Sequence, residues 1–354
     1  VLTVPPSVAF AVLRLGVIMS PEASEPHESW GVLNPGGVRS PDGMMHLFPR
    51  LIAEGNYSRI GHESVRYEDE APVGVDRHGI ALEPSEPYEV GPGGGGVEDP
   101  RVVYVSPIKR YVMTYTAFVP YEPRIAIAVS DDLWTWRRLG LVHYQTQSDV
   151  PDLNRCGNKD AALFPEVVFD PNGVPSLGIL HRPTTRVHVH HDGADVTKPP
   201  SGEETRENIW ISYVALDAVL ADITSLTSVR QHERVMAPEQ PWESLKVGIG
   251  APPVRLPYGW LLTYHAVCAP DGHRRYCMGA AILDLERPSH VLYRTRSPIL
   301  EPKAEYERNG LVADVVFPSA SDLRADGLLD VYYGAADHVI AAVRISLPTQ
   351  LPSA

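Results

Sequence analysis

Five stretches of the chain follow one plan. A polar or charged residue leads into a short apolar strand, the chain turns, and a second strand ends in another polar residue. The copies read LNPGGVRSPDGMMHLFPRLI, EDPRVVYVSPIKRYVMTYTAF, NKDAALFPEVVFDPNGVPSLGILHRP, GAPPVRLPYGWLLTYHAV and DVVFPSASDLRADGLLDVYYGAAD. Their starts lie roughly 60 to 90 residues apart, which suits one propeller blade per copy rather than a sandwich or an α/β fold. The predicted fold is therefore all-β: a five-bladed β-propeller whose innermost strands face one central channel. Polar residues at the copy starts (Asn34, Asp99, Lys159, Asp314) and at the second-strand ends (Arg50, His181, His265, Asp337) would converge there.

Single copies resolve further. In the second, RVVYV, RYVMTYTAF and RIAIAVS read as three strands, and DDLWTWRRLGLV supplies a turn and an outer strand. The fourth repeats this with PPVRL, GWLLTYHAV, YCMGAAILD and HVLYRTRSPIL. Asp132 and Asp284 follow third strands, where an Asx-type turn is needed. The 34 prolines and 28 glycines fit many short strands joined by turns. Copies running from Asn34 to Ile345 leave no room for a second core. Residues 26–348 are accordingly assigned to the propeller and 349–354 to a tail. Residues 1–25 are read as a poorly ordered extension, with Met19 as the natural start.

Composition excludes several classes of function. A net charge of -13 argues against nucleic acid or an anionic membrane as partner. Cys156, Cys268 and Cys277 form no CxxC and are too few for a disulfide framework. Reduced thiols in the cytoplasm, with no metal and no cofactor, are expected. The opening VLTVPPSVAFAVLRLGVIM has no basic n-region, and no apolar run reaches the roughly 20 residues of a membrane span. Two long polar segments, VGVDRHGIALEPSEPYEVGPGGGG and TTRVHVHHDGADVTKPPSGEETREN, read as loops over one face. The His188, His190 and His191 cluster lacks a carboxylate or cysteine at ligand spacing and is read as solvated.

Candidate chemistry centres on Asp99 of GGVEDPR, at the head of the second inner strand; strict alternation would send only one of Glu98 and Asp99 into the channel. Arg138, Lys159 and His181 are the candidate cations, with Arg182 beside His181. Cations converging on a channel mouth repel one another unless an anion lies between them, and phosphate is the natural anion for a guanidinium. Structural ion pairs with Asp152, Asp160 or Glu166 are the competing explanation. Tyr115, Tyr264, Trp210 and Tyr333 lie near strand ends, suited either to sugar stacking or to core packing. Asn34, Arg50, Arg59, His265 and Asp337 offer the donors and acceptors that a polyhydroxylated ring demands.

With these residues in view, the chain resembles glycoside hydrolase family 130, propellers that act on β-mannosides. The resemblance runs from Asn34 onward through NPGG, SRIG, GGVEDPR, NKDAALFPE, LHRP, IWISY, KVGIGAPPV, GWLLTYHAV, GAAILDLERPSHVLYR, PILEP, VVFPS and YYGAADHVIA. It implies that Asp99 is the catalytic acid and that Arg138, Lys159 and His181 bind phosphate. It also implies that Asn34, Arg50, Arg59, His265, Asp314 and Asp337 line the sugar site. The expected activity is that of an inverting β-mannoside phosphorylase, with inorganic phosphate as co-substrate and α-mannose 1-phosphate as product. Asp314 stands where the family more commonly has asparagine, so an inverting β-mannosidase with Asp314 as base is the alternative. A non-catalytic sugar-binding propeller is the third reading, and a homo-oligomer is left open.

Overall fold

Alternating turns and apolar strands produce a closed ring of five blades. A computed structural model describes residues 10–91, 94–119, 123–184 and 204–352. Blade one comprises Gly31–Arg39, Met45–Ala53, Tyr57–Glu68 and Ala71–Leu82. Blade two comprises Gly94–Val105, Arg110–Phe118, Arg124–Ser130 and Arg137–Leu141, and a short parallel contact, Tyr57 to Gly95, joins it to blade one. Blade three is built from Asn158–Leu163, Pro175–Pro183, Ile209–Ala215 and Ser228–Met236. In blade four the inner strand is split into Lys246–Ile249 and Val254–Leu256, followed by Gly259–Cys268, Arg275–Leu283 and Val291–Arg294.

Blade five corrects an expectation. Its first three strands, Val316–Leu323, Leu328–Ala335 and Val339–Ser346, come from the end of the chain, but its outermost strand is Ala11–Met19. That strand pairs antiparallel from Ala11 opposite Ser346 to Met19 opposite Ile340. Residues 11–19 thus belong to the propeller rather than to a poorly ordered extension, and a chain started at Met19 would lack the strand that closes the ring. This pairing covers the outer edge of Val339–Ser346 and completes the four strands of the blade.

The core is divided among the blade interfaces. One apolar cluster joins blades one and two through Phe48, Ile60, Val102 and Met113. Others lie between blades two and three, three and four, four and five, and five and one. Each sheet is therefore covered on both faces, so its middle strands are apolar almost throughout; Gly259–Cys268 is buried at every position. Tight turns close the strands as expected: the Asp132 carboxylate accepts from the Trp134 and Thr135 amides, and the Asp284 carboxylate from those of Glu286 and Arg287.

Candidate active site

A repeated backbone irregularity builds the site. Asn34, Asp99 and Asp160 stand within the inner strands and Asp314 just before one, with left-handed φ of 46°, 47°, 56° and 58°. Asn and Asp tolerate this conformation better than other side chains with a Cβ. In the first three blades a register shift falls at the same place. A bulge interrupts strict alternation and lets neighbouring side chains share a face. Glu98 and Asp99 consequently both meet Arg50, whose Nη2 donates to Glu98 Oε1 at 2.7 Å and Nη1 to Asp99 Oδ1 at 3.4 Å. The expectation that only one of them would point inward fails for this reason.

Around Asp99 the contacts come from several blades. Asn34 Nδ2 of blade one donates to Asp99 Oδ1 at 2.9 Å. The fully buried Arg101 guanidinium ties blade two to blade four, donating to the carbonyls of Asp99, Ile249 and Gly250. Burial pushes the Asp99 carboxyl up, but the charges of Arg50, Lys159 and Arg101 outweigh it and hold the group below its usual value. Asp337, on the turn between Ala335 and Val339 of blade five, goes the other way. Burial, with Asp99 and Glu98 nearby, pushes its carboxyl up to about 6 against the pull of Arg50 and Lys246. Two carboxyls in one field thus have opposite tendencies.

Beside them lies a cationic side. Lys159 Nζ is 3.4 Å from Glu98 Oε2, and Lys246 Nζ is 3.9 Å from Glu207 Oε2. Arg182 donates from Nε to Asp160 Oδ2 at 2.6 Å and also pairs with Glu207. Burial and Arg182 push the Lys246 ammonium down to about 7. His265 packs on Phe317 with its Nε2 3.5 Å from Asp160 Oδ2, and neither ring nitrogen has a hydrogen-bond partner. Burial pushes its pKa down to about 3, so the ring is neutral at pH 7. Gly248 makes room for this arrangement: a Cβ there would come within 2.4 Å of His265 Cε1 and 2.5 Å of Asp160 Oδ2.

Of the expected site residues, Arg138 and His181 are placed elsewhere, and Arg59 and Asp314 make ion pairs outside the Asp99 cluster. Arg138, on the outer strand of blade two, donates to both oxygens of Glu89 at 2.9 and 3.0 Å, and Glu89 also accepts from Tyr115 Oη. The same grouping recurs as Tyr264–Glu243–Arg294 in blade four and Tyr333–Glu307–Arg14 in blade five. Glu28 and Arg77 repeat its ion pair in blade one. Arg138 is thus a structural member of each blade's outer girdle, and the three tyrosines are core residues rather than sugar platforms. His181 is buried between Asn158 and Ser212, at 3.0 and 2.8 Å, with burial and His232 pushing it down to about 3. Its neighbour Arg182 reaches the cation cluster instead. Arg59 pairs with Glu83, and Asp314 lies 4.0 Å from Arg308 Nε. His188, His190 and His191 fall outside the described residues.

The site also contains Arg101 and Lys246, which carry no role in the sequence reading, and Asp160, expected there only as an ion-pair partner of the cations and found paired with Arg182. Lys246 had a visible signal, since it heads the inner strand of KVGIG as Lys159 does that of NKDAAL. The girdle too was legible, because Glu28, Glu89 and Glu243 each close a Pro-aromatic-Glu triplet (PHE, PYE, PWE) ahead of an inner strand. Among the described residues, no three His, Cys, Asp or Glu side chains are grouped to hold a metal ion.

Comparison with known proteins gives this architecture its relatives. The family profile described as beta-1,4-mannooligosaccharide phosphorylase matches residues 14–349. The chain belongs to glycoside hydrolase family 130. Among family 130 relatives, a 1,2-beta-oligomannan phosphorylase of Thermoanaerobacter sp. (strain X514) is 31% identical over 338 residues, spanning 93% of this chain and 95% of that one. A beta-1,2-mannobiose phosphorylase of the same organism is 33% identical over 336 residues, covering 92% and 94%. In three dimensions, the beta-1,2-mannobiose phosphorylase of Listeria innocua superposes with a TM-score of 0.69 at 24% identity, over 95% of this chain and 97% of that one. That last likeness speaks for the shared fold.

Proposed function

We propose that this protein is an inverting β-mannoside phosphorylase. The observation that carries the reading is a cationic side with two loosely paired lysines, Lys159 and Lys246, and the firmly held Arg182, beside the unpartnered ring of His265 and the carboxyls of Asp99 and Asp337. Lysines held 3.4 and 3.9 Å from carboxylates, beside a neutral imidazole whose one N–H has no acceptor, suit an anion that accepts from all three. Phosphate brings its own nucleophilic oxygen, so no protein base is required. It would form a bond to the anomeric carbon on the face opposite the departing oxygen, yielding α-mannose 1-phosphate through an oxocarbenium-like transition state.

The departing oxygen takes a proton from Asp99. In the empty site that carboxyl is held low by Arg50, Lys159 and Arg101. An anion bound by Lys159 and its neighbours would offset that field and raise Asp99 toward a donating range, coupling proton supply to phosphate binding. Arg50, Asn34 and Asp337 are assigned to the sugar hydroxyls. The water-using alternative is disfavoured by Asp314, which faces Arg308 at the head of blade five. The two relatives matched nearly end to end are named for β-1,2 mannosides, which makes β-1,2-mannobiose the first substrate to test. Incubation with and without phosphate separates the readings. Mannose 1-phosphate formed only with phosphate supports this one, phosphate-independent release of mannose replaces it with hydrolysis, and no product points to a binding protein.

A further inference from the structure

The rim of the site carries an apolar patch that the chemistry above does not use. Trp30, Leu311 and Val312 are 39%, 51% and 41% exposed. Large exposed apolar side chains gathered at one spot mark a contact surface more often than scattered ones do. All three lie in segments that enter inner strands: Trp30 precedes Gly31–Arg39, and Leu311 and Val312 precede Val316–Leu323. They therefore share the face on which Asn34 and Asp99 stand.

Two contacts tie the patch to the candidate site. The Trp30 amide donates to the Ile52 carbonyl, two residues along the strand from Arg50, a rise of about 7 Å. The Trp30 carbonyl lies 3.1 Å from His338 Nδ1, next in sequence to Asp337. Gly31 makes this approach possible, because a Cβ there would come within 3.0 Å of the Asp337 carbonyl and 3.5 Å of Leu311 Cδ1. The Val312 amide in turn donates to the Ala336 carbonyl, seating the loop on the same turn. The segments carrying an indole and two aliphatic side chains are thus seated on the backbone of the turn that bears Asp337.

We infer that Trp30, with Leu311 and Val312, forms a stacking platform for a sugar ring of the substrate other than the one held at Asp99 and Asp337. The inference rests on the phosphorylase reading. An indole offers a flat apolar face that suits the C–H face of a pyranose, and His338 beside it offers a ring nitrogen to a hydroxyl. The occupant is one further mannosyl or acceptor unit of the same oligosaccharide, which makes Trp30 a determinant of chain-length preference rather than of bond cleavage.

The test compares Trp30→Ala and Trp30→Phe with the parent on β-mannosides of two, three and four units, with phosphate varied separately and oligomeric state read by light scattering. Losing contact with about 60 Å² of apolar surface corresponds to roughly a tenfold rise in KM. The expected result is that rise for Trp30→Ala with at least one chain length, recovery in Trp30→Phe, and no change in kcat or in the KM for phosphate. Equal KM values across all lengths for parent and Trp30→Ala would overturn the platform while leaving the phosphorylase reading intact. A Trp30→Ala variant that alters oligomeric state and weakens all substrates alike would also overturn it, assigning the patch to a second copy of the chain. If the parent itself forms no mannose 1-phosphate from any length, the functional reading fails first and the inference falls with it.

Discussion

Two regions of the propeller are rich in arginine–carboxylate contacts and behave differently. In the outer girdle the Arg138–Glu89 pair is bidentate, and Glu89 also takes the Tyr115 hydroxyl and the amides of Ser85 and Glu86. Glu307 has the same set from Arg14, Tyr333, Lys303 and Ala304. In the channel the ion pairs of Lys159 and Lys246 are long, the Asn34 side-chain oxygen has no partner, and His265 is unpartnered at both ring nitrogens. Polar groupings repeated in blades one, two, four and five tie each blade's outer strand to the segment that enters its own inner strand. The unsaturated groups of the channel are the ones the proposed function assigns to a ligand. The lesson is that an arginine is identified as structural or functional by what remains unmet around it, not by its type.

The comparison is most exposed to failure at Asp99. Asp99→Asn keeps the hydrogen bond with Asn34 feasible while removing the proton donor, and general acid catalysis is worth about 10²- to 10⁴-fold. We expect a kcat loss in that range with phosphate present; activity within tenfold of the parent would sink the assignment.

Arg138→Met tests the girdle. It leaves the Glu89 carboxylate buried without its guanidinium, and breaking such a pair costs about 3 to 5 kcal/mol of stability. Urea unfolding should show that loss, while the KM for phosphate in the surviving folded enzyme stays within twofold. A large rise in phosphate KM with unchanged stability would return Arg138 to the site and reverse the distinction between the two regions.

Lys246→Met and Lys159→Ala should do the converse. A hydrogen bond to a charged group contributes about 1.5 to 3 kcal/mol, or about 10- to 150-fold in affinity. The KM for phosphate should rise by such a factor with little change for the mannoside. Loss of mannoside affinity with phosphate dependence untouched would end the anion-site reading.

The smallest effect per group is on pH. Burial holds His62 at about 4, and His181 and His265 at about 3, against about 6.5 when unfolded. Between pH 6.5 and 4 the unfolded chain binds more protons at these rings, so stability falls as pH falls, by up to about 1.4 kcal/mol per pH unit for each ring. Asp337, raised to about 6, takes up its proton in the native state first and acts in the opposite sense between pH 6 and 4. Burial lowers His46 and His232 as well and raises Glu63 as it does Asp337, so five rings against two carboxyls leave a net loss on acidification. Urea midpoints at pH 7, 6 and 5 should decline, and His62→Gln should flatten the decline; midpoints constant over that range would contradict the burial of these rings as neutral groups.

Local sequence determined the blades. Strand length, apolar content and turn residues such as Asp132 and Asp284 act over a few residues, so they could be read without knowing where the chain goes. That Asp99 belongs to an inner strand was legible in the same way, although it lies at a bulge inside Gly94–Val105 rather than at its head. Which cation joins it was not. His181 and Arg182 are adjacent, and a one-residue difference in register sends a strand side chain to the opposite face. The bulges at Asp99 and Asp160 then break the alternation by which such faces are counted. Arg138 and Lys246 are alike as charges in a sequence. Only the folded chain, which brings Glu89 to one and Arg182, Glu207 and His265 toward the other, decides that the first is held in a short bidentate pair and the second in a long one. The N-terminal strand makes the same point: Ala11–Met19 is too short and apolar to be placed from its own residues, and it has a function in the fold only because the last blade offers it an edge more than 300 residues away.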